Sequence, residues 1–295
     1  MKTTIKFFLL LSLVGGLLFL SSCTKKTENI TNVTEIAPLP YVIGEIAKYD
    51  LRLLDSIYTE AWVEVYGFPS IPYVAINNDT IPRYRDIHPY PSSYDYYDGE
   101  YYELGFPLAE ETIYNLVVSS SSGQANASVK FPGEFYIKSP DEVETWLPPG
   151  EFLNVEWKKS VGCEWYGLFF YWDVHYHDED GNGYYTSIDT LIILDSLDVD
   201  YRFTASFLWP QPSADYDVIY AYGTLYTMAA TGPKIISGGQ GNVTGKGAGF
   251  FLASYYGDVL FFDYWFAAQY KKPEAKPNFE QMREKLRERM LKLLK

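Results

Sequence analysis

The sharpest cluster of potential chemistry lies between residues 173 and 189. Asp178-Glu179-Asp180-Gly181-Asn182-Gly183 places side-chain oxygens at its first, third and fifth positions and a glycine at the sixth, and Asp189 stands at the twelfth. Alternate oxygen donors followed by a turn-making glycine suit a hard cation such as calcium. The same residues also read as an acidic hairpin turn, because Asn-Gly is a preferred turn dipeptide and Asp caps its own backbone. Just upstream, Asp173, His175 and His177 alternate and so share one face of a predicted strand. Two imidazoles and a carboxylate can hold zinc or copper; the plainer reading is a polar strand end. Trp165, Phe169 and Tyr171 fall on that same face. They are expected to form an aromatic contact stripe that stacks on sugar rings, docks the first domain or receives the C-terminal segment. Tyr166, Leu168, Phe170, Trp172 and Val174, of opposite parity, form the expected core face.

These residues must be held by strands. Short apolar runs of β-branched and aromatic residues alternate with Gly, Pro, Asn and Ser, and aromatics make up 18% of the chain, with 28 tyrosines. That composition predicts an all-β protein. The loop 178–189 resembles the start of an EF-hand calcium loop, but predicted strands flank it where that family has helices. Tyr114, Leu116 and Val118, then Ala125, Ala127 and Val129, form a period-two hairpin around a loop at 119–124 that contains Gly123. This pattern resembles the closing strands of bacterial immunoglobulin-like modules. Pro148-Pro149-Gly150 followed by Leu153, Val155 and Trp157 resembles the early strands of a fibronectin type III sandwich. The expected organisation is therefore two tandem β-sandwiches, immunoglobulin-like over 41–139 and fibronectin-like over 140–270. Residues 89–103 read as a tyrosine-dense loop, and residues 237–250 as a glycine-rich strand connection that fails the phosphate-loop pattern. Over 271–295, a Lys/Pro linker precedes a short amphipathic helix with Phe279, Met282, Leu286, Met290, Leu293 and Leu294 on one face.

The N-terminus predicts the location. Lys2 and Lys6 precede an apolar run over 7–20, too short for the ~20 residues of a membrane-spanning helix, and the run ends in Leu20-Ser21-Ser22-Cys23. A basic start, a short apolar core and small residues before the cleavage point describe a signal peptide over 1–22. The box resembles that of bacterial lipoproteins cut by signal peptidase II. The resemblance implies that Cys23 is lipidated and becomes the mature N-terminus, with residues 23–40 as a flexible tether. It implies a cell-envelope location, and the outer membrane in a Gram-negative source, because residue 24 is Thr rather than Asp. Several acyl chains give stable anchoring where one is marginal. Cys163 then has no cysteine partner, and reads as a small buried hydrophobe.

Charge and motif narrow the function. The net charge of −14 combines an acidic body, 34 acidic against 11 basic residues over 27–270, with a basic tail, 9 basic against 4 acidic over 271–295. An acidic body argues against nucleic acid, which needs a basic footprint. Nucleophile-elbow, HExxH and cysteine metal patterns are absent from the sequence. The expectation is a non-catalytic binding or scaffolding lipoprotein with an unknown protein or glycan partner. The alternatives are a surface carbohydrate-binding lipoprotein using Tyr and Trp platforms, and a glycoside hydrolase working with two carboxylates.

Overall fold

The computed structural model describes residues 40–52, 55–87, 96–142, 144–178, 180–210, 216–236 and 240–265, with seven helical residues between 282 and 292. All belong to the compact unit Leu39–Lys295. The expected signal peptide, Cys23 and nearly all of the expected tether lie outside the described residues, as do Phe279, Leu293 and Leu294. Among the described residues, no helix is long and apolar enough to cross a membrane.

The protein is all-β. In chain order the strands are β1 (Tyr41–Leu51), β2 (Ser56–Phe68), β3 (Tyr73–Ile76), β4 (Asp79–Thr80), β5 (Arg83–Asp86), β6 (Tyr97–Leu104), β7 (Ile113–Ser120), β8 (Gly123–Lys130) and β9 (Ile137–Ser139). They continue as β10 (Glu144–Trp146), β11 (Leu153–Trp157), β12 (Trp165–Asp178), β13 (Gly183–Asp195), β14 (Asp200–Phe203), β15 (Tyr216–Thr231), β16 (Thr244–Gly245), β17 (Ala248–Tyr256) and β18 (Leu260–Trp265). A single helical turn, Ala205–Leu208, follows β14.

Ten strands make one large mixed sheet. Its path runs β5-β6-β2-β1-β17-β15-β18-β10, and β12 then β13 extend it from the other edge of β15. The sheet forks at β15: Tyr220–Leu225 pair with β18, and Met228–Thr231 pair with β17. Two smaller sheets, β14-β11-β9 and β16-β8-β7-β3-β4, complete the fold.

Each face of the large sheet is covered over part of its area. Val42, Ile46, Val63, Leu168, Phe170, Trp172, Val174 and Phe251 join Leu116, Val118, Val155 and Trp157 of the smaller sheets in one core. The expected inward face of β12 is thus correct. On the opposite face, Ile43, Ala47, Trp62, Phe169, Leu252 and Tyr256 pack with Met282, Leu286 and Met290 of the C-terminal helix. The helix therefore docks on its own body along the predicted stripe. Coverage on both faces explains why β1 and β17 are buried almost without alternation, whereas β7 and β8 keep the period of two that one-sided burial dictates.

The expected division at 139/140 does not separate the hydrogen-bonded sheets. β1 pairs in parallel with β17 from Tyr41↔Ala248 to Tyr49↔Tyr256, and β16 joins β8 at Thr244↔Asn126. Strands from both sides of that point share two sheets, so the two expected units are joined by strand pairing rather than by a linker. Two local expectations also change. Residues 97–103, read as loop, belong to β6, because Gly99, Glu100 and Tyr101 are buried against β2. The hairpin loop at 119–124 shrinks to a two-residue turn, with Ser119↔Gln124 and Ser120↔Gly123 still paired.

Candidate functional site

β12 has β13 on one side and β15 on the other, and its register with both fixes a cross-strand cluster. His175 stands opposite Tyr185 and Tyr220; Asp173 stands opposite Ser187 and Tyr222. Direct cross-strand neighbours share a face with their Cβ atoms about 5 Å apart. The result is a group of tyrosines around one carboxylate.

Asp173 is its centre. The side chain is buried, yet Oδ2 accepts a short hydrogen bond from the Tyr171 hydroxyl and Oδ1 accepts from the Tyr185 hydroxyl at 3.1 Å. A buried charge is tolerated when donors surround it. Burial pushes the Tyr171 phenol up, and its hydrogen bond to Asp173 adds to the rise. The Tyr222 phenol is pushed up to about 12, by burial first and by Asp173 next. Both therefore stay protonated through neutral pH. The His175 ring stacks on Tyr220 with centroids 3.9 Å apart, and lies 5.0 Å from Tyr185 and 6.3 Å from Tyr222. Burial lowers the His175 pKa, against the opposing pull of Asp173, which favours the neutral imidazole. Tyr185 remains 57% exposed. The face thus offers aromatic rings and phenol hydroxyls that carry no charge at neutral pH, around one carboxylate already supplied with donors.

Only part of the aromatic stripe belongs here. Tyr171 is in the cluster, but Trp165 and Phe169 are not available to a ligand, which corrects that expectation. Trp165 is fully buried and donates from Nε1 to the Gly232 carbonyl at 3.0 Å. Phe169 packs on Tyr226, in the same apolar cluster as the C-terminal helix. Trp165 and Phe169 share one buried cluster with Met282, Leu286 and Met290, and Tyr171 does not.

The predicted calcium ligands do not converge. Asp178 closes a turn: Oδ1 accepts from the Asn182 backbone N–H at 2.7 Å, and Oδ2 from the Asn182 side-chain amide at 2.8 Å. Gly181 adopts φ +79°, in the left-handed region that favours glycine. Asp180 lies within this turn. Asp189 is six residues along β13 from Gly183, about 20 Å at the strand rise, and stands opposite Tyr171. Asp173 and His175 are engaged with tyrosines, and His177 lies opposite Gly183. Among the described residues, no group of three His, Cys, Asp or Glu side chains is arranged to hold a metal ion. Cys163 is a free, half-buried thiol whose Sγ donates to the Trp165 carbonyl at 3.0 Å. Burial raises its pKa and keeps it protonated.

Tyr185, Tyr220 and Tyr222 are the members that the sequence did not single out. Their signal is present in the alternation of Tyr220, Tyr222 and Tyr226 along β15. What it lacks is the partner strand. The chain matches no protein-family model and no curated protein.

Proposed function

We propose that this is a non-catalytic binding or scaffolding module of the cell envelope, tethered by lipid on Cys23, and that the tyrosine face around Asp173 makes its contact. In a Gram-negative source the anchoring membrane is the outer membrane. The observation that carries the reading is the hydrogen bonding of Asp173: the Tyr171 and Tyr185 hydroxyls each donate to one of its oxygens and so hold their rings in place, an arrangement suited to a preformed contact surface rather than to proton transfer.

The same observation favours one ligand class, carbohydrate. Uncharged aromatic rings supply apolar faces for sugar C–H groups, and phenol hydroxyls supply hydrogen bonds to sugar hydroxyls. The test is a glycan array probed with the full-length protein and with Tyr185→Ala and Tyr222→Ala. Tyr185→Phe, which keeps the ring and removes only the hydroxyl, and a circular-dichroism melt of each variant separate loss of binding from loss of folding. Binding reduced at least tenfold in both alanine variants supports the carbohydrate reading. A silent array, with a captured protein partner released by the same variants, keeps the binding module and rejects the glycan. Partners indifferent to both variants reject the face. Hydrolysis of any polysaccharide, abolished by a carboxylate substitution, rejects the non-catalytic assignment. Cys23→Ala should move the protein from the membrane to the soluble fraction; unchanged fractionation rejects the anchor.

A further inference from the structure

The face of the large sheet that carries the C-terminal helix also carries buried carboxyls. Glu45 of β1 stands opposite Trp62 of β2 and Leu252 of β17, and both of these pack in one cluster with Met282, Leu286 and Met290 of the helix. Direct cross-strand neighbours share a face, so Glu45 lies on the helix-bearing side, where it is only 1% exposed. Two uncharged donors hold it. Trp62 Nε1 donates to Oε2 at 3.2 Å, and the Tyr256 hydroxyl donates to Oε1 at 2.9 Å. Among the described residues, no Lys or Arg pairs with it. Glu60, diagonal to it on β2, is equally buried and accepts from the Tyr49 and Tyr102 hydroxyls at 2.8 and 3.0 Å. Glu64, the other diagonal neighbour, accepts from the Tyr66 hydroxyl and lies 3.6 Å from Arg287 of the helix. Arg287 also binds Glu284, whereas Glu288 and Lys292 are exposed. Beyond β2, Glu100 of β6 is paired with Arg85.

A carboxylate buried without a cation, beside a second carboxyl, is costly to ionise. Burial pushes the Glu45 carboxyl up; the Ser254 and Tyr256 hydroxyls and the Trp62 indole oppose the rise, and Glu60 reinforces it. The Tyr256 phenol is itself pushed upward by burial and by Glu45, so it stays a donor. An ionised Glu45 needs water, and the layers around it differ in how they can admit it. β1 is hydrogen-bonded to β2 from Tyr41 to Leu51 and to β17 from Tyr41 to Tyr49. The helix meets this face through side chains. It is the layer that can lift. A carboxyl raised in the docked state and returned to the ordinary 4.5 in the released state makes docking strongest at low pH. Docking then weakens as pH climbs from the ordinary value through the raised one, by up to about tenfold per pH unit. Ionisation of Glu64 works in the opposite sense, because it strengthens the pair with Arg287.

We propose that Glu45 is a pH-operated catch for the C-terminal helix: with its proton it keeps the helix docked, and without it the helix lifts and uncovers Ile43, Trp62 and Leu252. The test is amide exchange of residues 282–292 in the full-length protein between about pH 5 and about pH 8. Rates are divided by the intrinsic rate at each pH, so that only protection is compared. Protection should fall at least tenfold as pH rises. Glu45→Gln, neutral at every pH, should stay protected throughout. Tyr256→Phe removes a donor that favours the carboxylate and should displace the fall to higher pH. Glu60→Gln removes the neighbouring carboxyl and should displace it to lower pH. A merely structural role for these side chains gives no such opposite displacements. Constant protection in the wild type, or a fall that survives in Glu45→Gln, overturns the proposal. If Glu45→Gln fails to fold, the other two variants decide, and a fall that stays in place or moves the same way in both overturns it.

Discussion

A Cβ placed on Gly249 would lie 1.7 Å from the Val42 carbonyl oxygen, and the residue holds φ +147°. No L side chain satisfies both constraints. Gly249→Ala should destabilise the protein by about 3 kcal/mol through backbone strain and displacement of β1; a urea midpoint unchanged from wild type would refute this. Residue types were legible where their role is local. Asp178-Glu179-Asp180-Gly181-Asn182-Gly183 reads as a turn because Asp178 and Asn182 satisfy each other across four residues. Asp173 was legible only as a candidate metal ligand. Its donors, Tyr171 and Tyr185, are set by strand register, which a single sequence leaves open.

At the scale of elements, the C-terminal helix was the most legible feature, because a 3.6-residue apolar period needs no partner to be seen. Its berth was not, since Ile43, Leu252 and Tyr256 become one surface only after distant strands pair. Met290 is fully buried there. Met290→Ala should cost about 2–5 kcal/mol, the range for a core methionine truncated to alanine, and loosen the helix, read as faster amide exchange in residues 282–292. Unaltered exchange and stability would show that the helix rests on the sheet without contributing to it. β6 was hidden for another reason. Its neighbours in sequence are rich in Pro, Ser and Tyr, which read as loop, and its stability comes from pairing with β2 and β5.

For the whole molecule, the all-β class follows from composition, but the division into two units depends on which strands pair, and that is long-range information. Because β1, β2 and β6 share a sheet with β12, β15, β17 and β18, the described body should unfold in urea as one cooperative transition by fluorescence and by circular dichroism. Two separated transitions, or a stable fragment beginning near residue 140, would refute that unity.

The parallel pairing of β1 with β17 also sets a schedule. A chain made N-terminus first presents β1 and β2 early, but Glu45 meets the Tyr256 hydroxyl, 211 residues later, only when nearly all of the body has been made. Until then one edge of β1 carries a row of unsatisfied amides and carbonyls, the kind of edge that recruits foreign strands. The nascent protein is therefore open to mispairing at β1, and relief arrives only once β17 has been made.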